Sequence, residues 1–150
     1  MAFDMFTPIK DILVAKSVAV YAAGAQTADW SIFYDYVPKD DPDRCVTIHA
    51  RGGNDSNPAW LLDYPRIQVR VRGRQGSVVE AHQKAYSIME ALNGYPSTTF
   101  GSDRWVGIWN RGGVVPIGPD KNDRPQYVVN FQCIVEPASS AETNRQALPS

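Results

Sequence analysis

The sequence predicts an α+β domain, a mostly antiparallel sheet of four to five strands with two helices packed on one face. Three observations carry that expectation. The segments "CVTIHAR" and "RIQVRVRG" alternate apolar and polar residues with the period of a half-buried strand. The stretch after Gly73 repeats its apolar residues with the period of a helix. The elements then run helix, strand, strand, helix, strand, strand, an order that sends both helices to one side of an antiparallel sheet. A chain of 150 residues, 43% of them hydrophobic, can bury one core of its own. We place a single domain at residues 1–136 and a flexible tail at 137–150.

The first helix is expected over residues 8–23, with Thr7 as N-cap, Pro8 at the first helical position and Gly24 as the stop. Ile9, Ile12, Leu13 and Val20 share one face, and Val14, Val18 and Tyr21 form a second, so the helix should be covered on two sides. "ADWSIFYDYVP" reads as a short aromatic strand ended by Pro38, and the acidic "PKDDPDR" as a surface loop. The strand at 45–51 puts Val46, Ile48 and Ala50 on one face and Thr47, His49 and Arg51 on the other. A long loop, "GGNDSNPAWLLDYP", follows. Its Trp60, Leu61, Leu62 and Tyr64 are large groups that something must cover.

In the strand at 66–73, Ile67, Val69 and Val71 face the core, leaving Arg66, Gln68, Arg70 and Arg72 on the opposite face. The second helix opens with a capping box, Ser77 and Glu80. It carries Val78, Ala81, Ala85, Ile88, Met89 and Leu92 as an apolar stripe and closes at Asn93-Gly94. Strands are expected at 103–110 and 126–136. The Gly-, Pro- and Asp-rich stretch 111–125 between them is long for a hairpin turn. The last residues, "PASSAETNRQALPS", lack periodicity and large apolar groups.

No catalytic chemistry is legible. The chain contains no G-x-x-x-x-G-K-S/T, G-x-S-x-G or H-E-x-x-H pattern, so we expect neither enzyme activity nor a cofactor. His49 and His82 read as structural, and "DDPDR" and "GPDKND" as solvated turns that lack the ligand pattern of a calcium loop. The Gly pairs in "RGGND" and "RGGVV" read as turns. Cys45 and Cys133 are too far apart to form a metal knuckle or a redox motif, and read as reduced core residues of cytosolic origin. A net charge of -1 argues against a dedicated nucleic-acid binder. The apolar run near the start holds Asp4, Asp11 and Lys16 and is too short to span a bilayer, so no membrane partner is expected. Trp105 and Trp109, with Gly107 between them, fall on one side of their strand, as core packing or as an aromatic patch.

"YPRIQVRVRG", the helix ending "IMEALNGY" and "PIGPDKNDRPQYVVNFQCIVE" together resemble the small minor capsid and tail terminator, or tail completion, proteins of long-tailed bacteriophages. The likeness covers residues 8–136 and is carried by 64–73, 77–94 and 116–136. It implies a structural virion protein made in the host cytoplasm. In that family an α+β subunit assembles as a ring, commonly a homohexamer, at the head-proximal end of the tail tube. The ring ends tube polymerisation and joins the tail to the head connector, while DNA passes through its lumen without specific binding. Its implied partners are copies of itself, the tail tube protein and the head–tail connector protein. The stretch 111–125 lies where members of the family carry docking loops.

Within that frame the candidate subunit interface is Arg70, Arg72, Trp60, Leu61, Asp120 and Asp123. Arginines pair bidentately with carboxylates, and the two acidic loops supply them. The alternative is a small nucleic-acid-binding protein, with Arg70 and Arg72 on an Arg-lined sheet face and Trp105 and Trp109 as a stacking platform. A small hydrolase ranks last.

Overall fold

Helix α1 (Phe6–Ala15) begins and ends on residues other than those expected. In the computed structural model, which describes residues 3–22 and 26–149, Asp4 rather than Thr7 caps it. The Asp4 Oδ1 accepts the N–H groups of Phe6 at 2.8 Å and Thr7 at 3.1 Å. The helix stops well before residue 23. Val18 N–H donates to Leu13 O and Ser17 N–H to Val14 O, with Ser17 at φ 59°. This is a Schellman closure with serine in the left-handed position that glycine usually takes. Gly24 lies outside the described residues. Beyond the closure, Val20 bridges to Ser31 in the parallel sense, so the apolar residues after 17 lead into the sheet.

The sheet has six strands rather than four to five: β1 (Ser31–Tyr34), β2 (Cys45–Asn54), β3 (Tyr64–Arg72), β4 (Thr98–Phe100), β5 (Asp103–Pro116) and β6 (Gln126–Glu136). Their spatial order is β1-β2-β3-β6-β5-β4. β1 pairs in parallel with β2 and every other pair is antiparallel, so the sheet is mixed. The two outermost strands, β1 and β4, are only four and three residues long. β4 is too brief to show a period of two, which is why the sequence did not reveal it.

Helix α2 (Val78–Leu92) matches its expected span and crosses β3, β5 and β6, while α1 rests on α2 and β2. The two helices cover the face formed by Val46, Ile48, Ile67, Val69, Val71, Val129, Phe131 and Val135, all essentially inaccessible to water. Ser77 sits at the N-cap of α2, but its hydroxyl makes no cap hydrogen bond. Glu80 does not reach back to complete a capping box and instead pairs with Arg44 Nε at 2.9 Å.

Bulges reset two strands. In β5 the register shifts between Trp105 and Gly107, so Trp105 lies opposite Val135 in the core, 1% exposed, while Trp109 lies opposite Gln132 on the other face. One inserted residue reverses every side chain after it. The two indoles therefore do not share a side. The Arg-Gly-Gly triplets form bulges rather than turns, at 51–53 in β2 and 111–113 in β5. Gly53 has φ 136°, and a Cβ there would stand 2.0 Å from Tyr64 O, so only glycine fits.

Two expected loops are more ordered than their composition indicated. Residues 111–116 belong to β5 and pair with β6, which leaves only 117–125 as a connection. The C-terminal segment folds back onto the 57–63 loop: Arg145 Nη1 meets Asp63 Oδ1 at 2.7 Å, and Leu61 N–H donates to Gln146 O at 2.8 Å. No helix among the described residues is long and apolar enough to cross a membrane.

Candidate functional site

The sheet face that no helix covers carries the polar residues of β2, β3, β6 and β5 in register. One row runs His49, Gln68, Asn130, Arg111 across four strands. Another joins Arg66, Gln132 and Trp109. Both Arg-Gly-Gly bulges deliver their arginine to this face. Arg51 and Arg111 arrive from opposite sides of the central β3–β6 pair, and with Arg66, Gln68 and Asn130 they line a shallow basin of about 370 Å³.

The basin's polar groups are already oriented. Gln68 Oε1 accepts from Arg51 Nη2 at 3.0 Å, Gln68 Nε2 donates to Asn130 Oδ1 at 3.0 Å, and Arg66 Nε donates to Gln132 Oε1 at 2.9 Å. These bonds fix Arg51 and Arg66 without neutralising them. Among the described residues Arg51, Arg66, Arg70 and Arg111 have no carboxylate within ion-pair distance. The Arg70 Nε is shielded from water and has no hydrogen-bond partner. Burial, then the charges of Arg70 and Arg51, hold the neighbouring His49 below its ordinary pKa, so near neutrality its ring is uncharged, with Nε2 2.8 Å from Thr47 Oγ1.

The opposite end of the same face carries the Asp-rich 38–44 loop, with Lys39 and Lys121 beside it. Here two buried guanidiniums clamp the 38–44 loop from beneath. Arg72, 2% exposed, donates to the carbonyls of Pro38, Asp43 and Pro42. Arg124, 4% exposed, donates to Lys39 O at 2.7 Å and Asp40 O at 2.8 Å, and pairs with Asp43 and Asp120. The loop's backbone is thereby fixed while the side chains of Asp40 and Asp41 stay exposed and unpaired. Burial tends to raise the Asp120 carboxyl, but bonds from the Arg124 and Asn122 N–H groups and the Arg124 guanidinium bring it below the usual carboxylate range.

Among the described residues the open face carries no water-accessible nucleophile beside a general base, the Thr47 hydroxyl next to His49 being buried. Among the described residues no cluster of His, Cys, Asp and Glu could hold a metal. Burial pushes the Cys45 thiol up to about 11 and the Cys133 thiol to about 12, which removes their nucleophilic thiolates at neutral pH.

A family model described as bacteriophage tail terminator protein matches residues 12–137. The chain belongs to the bacteriophage tail terminator family. The family is structural, so the protein is a component of the virion. No curated protein matches it.

In this tail terminator family member the expected contact residues divide. Arg70 lies on the open face, half-buried, beside the basin. Arg72 lies on that face too but is not available to a partner, because the 38–44 loop folds over it and takes its guanidinium. Leu61 is 3% exposed and Trp60 is half-buried, both beneath the returning C-terminal segment. Asp120 is committed to Arg124, and Asp123 is exposed at the tip of the same turn. The platform of paired tryptophans does not exist, since Trp105 is in the core. Alternation places Arg51 on the polar face but does not mark it or Arg111 as contact residues. The repeated Arg-Gly-Gly triplet was their signal, because glycine pairs inside strands mark bulges that re-aim the adjacent side chain.

Proposed function

We propose that the protein forms a closed homo-oligomeric ring, a hexamer, at the head-proximal end of the phage tail tube. There it ends tube polymerisation and joins the tail to the head connector, while DNA passes through the lumen without being read. The supporting observation is the uncovered sheet face, which keeps four arginines without a carboxylate partner among the described residues, in a member of a structural virion family. Two of them, Arg51 and Arg66, are tied to side-chain amides and so preorganised for a partner, and a ring supplies the same partner to each copy. A second reading, nucleic-acid binding on this face, draws on the exposed Trp109, which shares a cross-strand row with Arg66 on the far side of Gln132. It predicts affinity that falls steeply with salt.

The mass of the purified protein, measured alone and mixed with tail tube protein, tests the proposal. We expect discrete rings that persist in salt and cap tubes at one end. A chain that stays monomeric at high concentration and also beside tube subunits would refute it.

A further inference from the structure

We infer that the basic basin of one subunit receives the clamped acidic loop of the next, with Asp40 and Asp41 meeting Arg51, Arg66 and Arg111. This assignment rests on the ring reading and names its interface. The two features lie at opposite ends of one sheet face. Arg72, which carries the acidic loop, is separated along β3 from Arg66, which borders the basin, by six residues, or about 20 Å of strand. That gap is too long for Asp40 or Asp41 to neutralise the basin of its own subunit. A second copy, offset along the face, can bring them together.

Each half of the contact is built before it forms. The loop needs no further ordering, because Arg72 and Arg124 bind its backbone carbonyls and leave the Asp40 and Asp41 side chains free. Arg51 and Arg66 are held by Gln68, Gln132 and Asn54, while Arg111 is exposed at the basin's other side. Carboxylates entering the basin would replace water on guanidiniums that are already aimed, and Arg–carboxylate pairing is bidentate and directional. The contact joins different patches of the two copies, so it is head-to-tail, and a head-to-tail contact closes into a ring when its rotation divides a full turn. Duplex DNA fits the observations less well. The net charge is -1, and the cations are gathered in one concavity rather than spread along a track.

Charge reversal tests the pairing. Arg66→Glu with Arg111→Glu makes one variant and Asp40→Arg with Asp41→Arg the other, each checked for native thermal unfolding and measured beside the parent for ring mass and for duplex DNA retention. Each variant alone should need on the order of tenfold or more higher concentration to assemble, because like charges then face each other. An equimolar mixture of the two should recover rings, as should one chain carrying all four changes, which also shows that the substitutions allow folding. Parent rings with equally good rings from either single variant would overturn this interface and leave the ring reading standing. Normal rings from a reversed basin that lose only their hold on duplex DNA would assign the basin to DNA instead. A parent that forms no ring, alone or on tubes, would remove both readings.

Discussion

Arg124 shows how much one side chain can organise. With 4% exposure it binds two carbonyls of the 38–44 loop and the carboxylates of Asp43 and Asp120, joining segments that lie far apart in sequence. Arg124→Ala would strand those acceptors, and we expect a loss of about 3 kcal/mol, with the loop becoming cleavable by protease. The figure sits at the low end for buried pairs because the Asp43 side chain is 51% exposed. Arg124→Lys should recover little, since an ammonium cannot reproduce a planar fork that serves several acceptors at once. Urea unfolding of the two variants checks this, and wild-type stability in either would refute it. Neither Arg124 nor Arg72 was legible as an internal clamp. Alternation placed Arg72 on the outward face correctly, but a period of two says nothing about which loop later folds across that face.

Among the elements, β2, β3, β6 and α2 were legible because each buries a regular stripe against the same core. The misses have local causes. A serine in the left-handed position ended α1 early, and bulges turned two supposed loop segments into strand. The C-terminal segment was read as free because it lacks large apolar groups, yet it is anchored by polar contacts that composition does not encode. Arg145 reaches Asp63 and also the carbonyls of Asn57 and Trp60. Arg145→Ala should therefore release residues 137–149, raising their rate of proteolysis severalfold while costing the core only about 1 kcal/mol. Tail cleavage no faster than in the parent would show that the backbone pairing at Gln146 suffices alone.

For the molecule as a whole, the shifted groups predict how stability responds to acid. His49 is held below its ordinary 6.5, so between the two values the unfolded chain binds its proton first and stability declines as pH falls. Asp4 and Asp120 lie below the usual 3.8, so their contribution is present above that value and is lost as pH drops through it toward their folded values. Denaturant midpoints measured across pH should thus fall in two steps. His49→Gln should flatten the step just below about pH 6.5 and leave the lower one in place, and an unchanged profile would count against the assignment. The mixed sheet has one more consequence. Its outermost strands are only four and three residues long, and Val20 already bridges the outer side of β1, so neither of these strands is a serviceable template for another chain's strand. The longer β5 runs on past β4, and the bulge at 111–113 interrupts the margin it leaves, which discourages crowded copies from zipping into cross-β fibrils.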